Sequence, residues 1–386
     1  MPCEKDNGQF KKILGEKRLD GSGGQWREAI SRVSGGDVEK TLSEQAGHYN
    51  IERILALISP AAEEYLEEMA QQAHRLTVQR FGRTIRLYAP LYVSSYCENS
   101  CLYCGFSRNN QFERRRLTID EAAAEADIIA SEGFTDLLLV SSEDRKFITV
   151  DYLCELARRL RGKFSTISAE IYPLSADEYR RLFEAGIEGV TLYQETYDRN
   201  VYSRFHPAGP KSDYDSRLDA PNRFAGAGMR QVGIGALLGL NDFRLETLAL
   251  AEHGHYLMKR YWQSQLSFSF PRLRPANNVS SIQFEHILSG RNLVQMITAL
   301  RLCFADAGLV LSTREGAKIR DNAVKLGITK MSAGSKTSPG GYSGNIANTG
   351  QFEIDDKRTP IQIAEMLKSE GFEPVWKDWE RALSKV

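Results

Sequence analysis

No stretch of the 386-residue chain approaches the ~20 uninterrupted apolar residues of a membrane span. A transmembrane helix is therefore not expected, and no membrane partner. The opening Met1-Pro2-Cys3-Glu4-Lys5-Asp6 lacks the apolar core of a secretory signal, so the expected compartment is the cytoplasm. Neither sign of charge is in surplus: 50 Lys+Arg stand against 50 Asp+Glu. That balance argues against a general nucleic-acid binder, which needs a basic excess. Six cysteines are too sparse for a disulfide scaffold. The chain has no internal repeat and no low-complexity tract. What remains, 26% charged and 42% hydrophobic residues, is the composition of a folded soluble protein.

The first ~80 residues read as a helical extension. Short helices are expected at 26–33 and 37–45, then a longer apolar pattern over 51–81, broken by Ser59-Pro60. From Ile85 the rhythm changes. Eight apolar runs of strand length follow, at 85–93, 135–140, 166–171, 189–193, 231–238, 265–270, 309–311 and 328–331. Helical patterns at 119–131, 151–160, 176–185, 244–260 and 291–307 lie between them. Eight strand–helix alternations predict an α/β fold, a (β/α)8 TIM-type barrel over 81–335, with a doubly wound open sheet as the competitor. Residues 336–386 read as a loop-rich tail with one helix near 360–369. Trp376 and Trp379 are expected to dock it on the barrel.

Three of the six cysteines fall together in Cys97-Glu98-Asn99-Ser100-Cys101-Leu102-Tyr103-Cys104-Gly105-Phe106, directly after the first strand. Three thiolates on one short loop can hold three irons of a [4Fe–4S] cube and leave the fourth open to a small molecule. The alternative is a structural zinc knot in a binding module, with Cys154 or Cys303 as a distant fourth ligand. Both of those cysteines sit in helical patterns, where a buried Cys ordinarily packs as a small apolar residue.

The Cys-x3-Cys-x2-Cys spacing followed by Gly-Phe resembles the radical S-adenosylmethionine (SAM) superfamily. Further words narrow the likeness. They are Pro90-Leu91-Tyr92, Tyr193-Gln194-Glu195-Thr196-Tyr197, Ser269-Phe270-Pro271-Arg272-Leu273-Arg274-Pro275, Ser312-Thr313-Arg314-Glu315 and Pro374-Val375-Trp376-Lys377-Asp378-Trp379. Together they resemble the aromatic amino acid lyases, nearest to the tyrosine lyases of thiamine thiazole biosynthesis, from about Ile51 to Trp379.

The resemblance implies a radical SAM barrel whose Cys97, Cys101 and Cys104 hold one [4Fe–4S] cluster, with SAM on the open iron. It places Glu143 on the SAM amino group and Arg217 on its carboxylate. Glu170 and Glu195 would also face SAM, and Tyr103 would lie near the adenine or pack over the cluster. It places Arg314 on the substrate carboxylate, Ser332 in support and Tyr92 at the amino end. Arg272 joins them or only braces the rim with Arg274. Met, Phe and Leu side chains would hold the substrate ring. The implied reaction reduces SAM to 5′-deoxyadenosine and methionine and breaks the Cα–Cβ bond of L-tyrosine, giving 2-iminoacetate and p-cresol. The implied partners are a thiazole synthase and a low-potential electron donor such as flavodoxin or ferredoxin. Two rivals share the scaffold. A tryptophan lyase would differ in ring-pocket residues. A hydrogenase-maturing tyrosine lyase carries a second Cys-rich cluster near its C-terminus, yet no Cys follows Cys303 here.

Overall fold

The structure, a computed structural model, describes residues 8–276, 279, 284–344 and 350–377. Cys3 and Trp379 lie outside them. Eight parallel strands form a closed barrel: β1 (Thr84–Ser94), β2 (Asp136–Ser141), β3 (Thr166–Glu170), β4 (Gly189–Glu195), β5 (Gln231–Ala236), β6 (Gln265–Ser269), β7 (Gly308–Leu311) and β8 (Lys330–Ser332). Each strand pairs with the next, and β1 pairs with both β2 and β8, which closes the ring. Every apolar run read from the sequence is a strand within one or two residues at most ends. The open-sheet alternative is excluded by the β1–β2 pairing.

Among the described residues five α-helices precede the barrel: α1 (Gln9–Glu16), α2 (Gly24–Arg32), α3 (Gly35–Ser43), α4 (Ile51–Ile58) and α5 (Leu66–Phe81). The outer layer is α6 (Ile119–Ser131), α7 (Val150–Leu160), α8 (Ala176–Ala185), α9 (Arg199–Phe205), α10 (Tyr214–Gly226), α11 (Phe243–Arg260), α12 (Gly290–Cys303) and α13 (Ala317–Ala323). Their starts are chemically marked. Thr118 with Glu121 and Ser175 with Glu178 form reciprocal capping boxes on α6 and α8. α12 ends four residues short of the expected 307, because Phe304 leaves the helical backbone region. Cys154 in α7 and Cys303 in α12 are both buried in the main apolar core.

The tail adds α14 (Pro360–Ser369) and a ninth strand, β9 (Glu373–Val375). β9 pairs with the start of β1, at Thr84 to Arg86. Arg86 pairs with Lys330 of β8 as well, so β9 lies on the other edge of β1, below β2. Trp376 packs edge-on against Phe134, and its carbonyl accepts from the Thr135 hydroxyl.

The barrel interior departs from the layered packing of branched side chains usual in such barrels. Inward positions carry Ser168, Gly189, Thr191, Gln231, Gly233, Gln265, Ser267 and Gly308, which leave a cavity of about 290 Å3 with polar and apolar walls in near-equal share. At its floor Arg86 and Lys330 both pair with the buried carboxylate of Asp136.

Candidate active site

The C-terminal ends of the strands carry the chemistry, as the barrel architecture requires. After β1 the chain turns into the cysteine loop. Cys101 is buried, while Cys97 and Cys104 are half-buried. N–H groups approach two of the sulfurs. Asn99 Nδ2 is 3.6 Å from Cys97 Sγ, and Gln351 Nε2 is 3.9 Å from Cys104 Sγ. Burial pushes the Cys101 thiol up to about 12, and the neighbouring sulfurs add to this against the pull of Lys211. A bound iron reverses that order, because coordination deprotonates a thiol. N–H donors aimed at sulfur favour the thiolate, so the donor set fits a thiolate-ligated cluster. Among the described residues no three His, Cys, Asp or Glu side chains converge tightly enough to hold a single metal ion.

Beside the loop lies a charged group. Glu195, the last residue of β4, is buried, and its Oε1 accepts from Lys211 Nζ at 2.6 Å and Arg217 Nη2 at 3.2 Å. Burial alone would raise this carboxyl, but Lys211 and Arg217 outweigh it and hold it at about 2. Its backbone φ is +71°, at a register shift between β4 and β5. A non-glycine residue there is strained. Arg217 also donates to the Tyr193 carbonyl at 2.6 Å. Tyr103 donates to His206 Nε2 at 2.8 Å. His206 Nδ1 is 2.7 Å from the Tyr202 carbonyl, which fixes Nδ1 as the protonated nitrogen. Burial and Lys211 push His206 down to about 3, so the ring is neutral.

On the other side of the loop Glu143 Oε2 accepts from Asn99 Nδ2 at 2.7 Å, and Oε1 accepts from Arg145 Nε at 2.8 Å. Asn99 therefore touches both a cysteine sulfur and Glu143. Its Oδ1 accepts from the Lys211 backbone at 2.8 Å.

Above the barrel cavity, Tyr88, Tyr92, Glu170, Tyr193, Arg314 and Ser332 line one pocket with Phe270 and Phe352. Burial raises the Glu170 carboxyl, against Arg314 and the Tyr193 hydroxyl bond. Arg314 lies 3.3 Å over the Phe352 ring. Its one side-chain hydrogen bond among the described residues is to the Arg272 carbonyl at 3.5 Å, and no carboxylate pairs with it there. Arg272 differs: both ends of its fork bind Glu315, and Nη1 donates to the Leu288 carbonyl at 3.0 Å. Ser332 Oγ accepts from the Thr313 amide at 3.0 Å. The aromatic walls are tyrosine and phenylalanine; no Met is among the described lining residues.

The predicted residues thus fall into three groups around the cysteine loop, with Arg272 turned away toward Glu315. Sequence reasoning did not single out Asn99, Lys211, His206, Gln351, Phe352 or Tyr88, which the structure sets beside the predicted residues.

A model of the radical SAM superfamily matches residues 91–251, and a model of the biotin and thiamin synthesis associated domain matches 269–373. A 2-iminoacetate synthase of Escherichia coli (strain K12) is 43% identical over 365 residues, 94% of this chain and 96% of that protein. The chain belongs to the 2-iminoacetate synthase family. The corresponding enzyme of Salmonella typhimurium is 41% identical over 94% of this chain and 96% of that protein. The cofactors of this family are one [4Fe–4S] cluster and SAM, which the three-cysteine loop suits. Among solved structures, a crystal structure of HydG, a maturase of the [FeFe]-hydrogenase, superposes with a TM-score of 0.87 at 32% identity, covering 94% of this chain and 80% of that one. HydG from Carboxydothermus hydrogenoformans gives 0.80 at 32% identity, over 95% and 83%.

Proposed function

We propose that the protein is a lyase that cleaves the Cα–Cβ bond of L-tyrosine to 2-iminoacetate and p-cresol. SAM is cleaved to 5′-deoxyadenosine and methionine, and the imine feeds thiamine thiazole synthesis. The observation that carries this reading is Arg314, a guanidinium without a carboxylate partner among the described residues, in an aromatic-walled pocket beside the cysteine loop. An amino acid carboxylate completes its fork, as planar bidentate pairing favours. Ser332, whose hydroxyl proton is not used by Thr313, supports that carboxylate. Tyr92 faces the amino end, and Tyr88, Tyr193 and Phe270 hold the ring.

Cys97, Cys101 and Cys104 would hold the cluster, which with SAM would supply the one-electron chemistry that no side chain provides. Arg217 binds the SAM carboxylate and Glu143 receives its ammonium. Glu195, ionised by Lys211 and Arg217, offers negative charge to the sulfonium region. Tyr103, held by neutral His206, would pack beside the cluster or the adenine. Glu170 closes the SAM side of the substrate pocket. Arg272 braces the rim through Glu315. A thiazole synthase takes the imine, and a low-potential flavodoxin or ferredoxin supplies the electron. Such a donor fits the cytoplasm, and among the described residues no helix is long and apolar enough to cross a membrane.

The test is an anaerobic assay of the iron–sulfur-reconstituted protein with SAM, dithionite and either L-tyrosine or L-tryptophan, followed by chromatography. p-Cresol and 5′-deoxyadenosine from tyrosine, both lost in Cys101→Ala, are the expected result. 5′-Deoxyadenosine with an indolic product from tryptophan and no p-cresol would overturn the substrate assignment.

A further inference from the structure

The tail supplies a residue that touches both halves of the site. Residues 350–353 cross the barrel rim over the cysteine loop. The Gln351 carbonyl accepts from the Gly105 amide at 3.1 Å, and the Gln351 amide donates to the Thr337 carbonyl at 3.0 Å. The approach is close. A Cβ on Gly105 would stand 2.8 Å from the Gln351 carbonyl oxygen and 2.9 Å from that of Gly350, so only glycine fits under this segment. Next along the chain, Phe352 underlies the Arg314 guanidinium.

The Gln351 side chain is fixed at both ends of its amide. Oε1 accepts from the Tyr92 hydroxyl at 2.9 Å, and Nε2 points at Cys104 Sγ, 3.9 Å away. The reverse orientation would set a carbonyl oxygen against a thiolate, which repels it. A cluster-bound sulfur therefore sets the orientation of the amide, and the Tyr92 phenol, which can donate or accept, follows it by donating to Oε1. One amide thus joins a predicted cluster ligand to a predicted substrate contact.

We propose that Gln351 is a positioning residue that couples amino acid binding at Tyr92 to the reduction potential of the cluster through its N–H···S contact with Cys104. A donor at sulfur stabilises the more negative, reduced cluster and so raises its potential. Substrate that engages the Tyr92 hydroxyl moves the Gln351 amide with it, and the strength of the sulfur contact changes. The cluster then senses an occupied pocket. The inference rests on the assignment of Cys104 to the cluster and Tyr92 to the substrate.

The experiment is an EPR-monitored redox titration of the reconstituted holoenzyme, with SAM, with and without L-tyrosine. Wild type is compared with Gln351→Leu, which loses both contacts, and with Gln351→Glu. The latter keeps an acceptor for Tyr92 but sets an oxygen against the sulfur. Both variants are expected to show about a tenfold lower ratio of reduced to oxidised cluster at a fixed poise, equal to about 59 mV for a one-electron couple. Tyrosine should shift the wild-type potential and leave that of Gln351→Leu unmoved. Tyr92→Phe should keep the resting potential and lose the tyrosine response. If Gln351→Leu fails to take up iron and sulfide, the near-isosteric Gln351→Glu carries the comparison. Variants fully loaded with cluster that titrate as wild type, while p-cresol is still made, would overturn the coupling alone. Lower potentials in the variants of a protein that makes no p-cresol would sustain the sulfur contact and overturn the lyase reading alone.

Discussion

Arg314 and Arg272 stand on neighbouring strand ends and differ in their partners. Arg314 has no carboxylate partner among the described residues, whereas Arg272 closes a bidentate pair on the buried carboxylate of Glu315. Arg314→Lys should therefore leave the melting temperature near wild type and raise the KM for tyrosine. Losing one charge-assisted hydrogen bond costs about 1.5–3 kcal/mol, so steady-state kinetics should show a roughly tenfold to hundredfold rise. Arg272→Ala should do the reverse. It leaves the buried Glu315 with only the longer Arg274 pair at 3.6 Å and should lower stability by about 3 kcal/mol in thermal unfolding. Glu246, in α11, gives a pH signature. Burial pushes its carboxyl up to about 7 despite bonds from Thr196, the Tyr197 amide and Asn241. The folded state keeps a proton that the unfolded chain releases near 4.5, so stability falls as pH rises from about 4.5 through about 7. Gln at this position cannot ionise, and Glu246→Gln should flatten that fall in melting temperature measured between about pH 5 and about pH 8.

The tail is the element on which the site most depends. It is anchored by buried charge: Arg320 of α13 donates to Asp356 at 2.5 Å and to the Ser332 carbonyl, and Arg358 binds both Asp356 and Asp321. Asp356→Ala leaves the fully buried Arg320 without its carboxylate and should cost about 3–5 kcal/mol. The same change frees the segment carrying Gln351 and Phe352, so circular-dichroism melting and tyrosine KM should move together. The sequence pattern marked this tail as turn and one helix, because Pro, Gly and Ser are local signals. It said nothing of Gln351, whose partners Tyr92 and Cys104 lie 259 and 247 residues away. α10 was hidden for a local reason. Pro221 inside it reads as a breaker, yet the helix continues through it. β9 is three residues long, with a proline at its centre, and only its pairing with β1 makes it a strand.

At the scale of the molecule, the barrel was legible because most strands hold a short apolar run and the helices from α6 to α12 each start at a side-chain cap. The cysteine loop was legible because its three cysteines fall within eight residues. Rim residues such as Glu195, Arg314 and Ser332 could be found by counting strand ends. Lys211 and Asn99 could not, since each gains its meaning from a side chain on another element. The alternation of side chains along the strands also concealed something, because small and polar inward residues look like weak strand signals. They fill the barrel with Ser, Thr, Gln and glycine backbone around its cavity. Exposure of apolar surface raises the heat capacity of unfolding, and exposure of polar surface lowers it. A barrel with this interior releases less apolar surface than one packed with Val, Ile and Leu. Its stability should change more gently with temperature, and scanning calorimetry should find a heat-capacity increment below the usual range of about 12–15 cal/mol/K per residue.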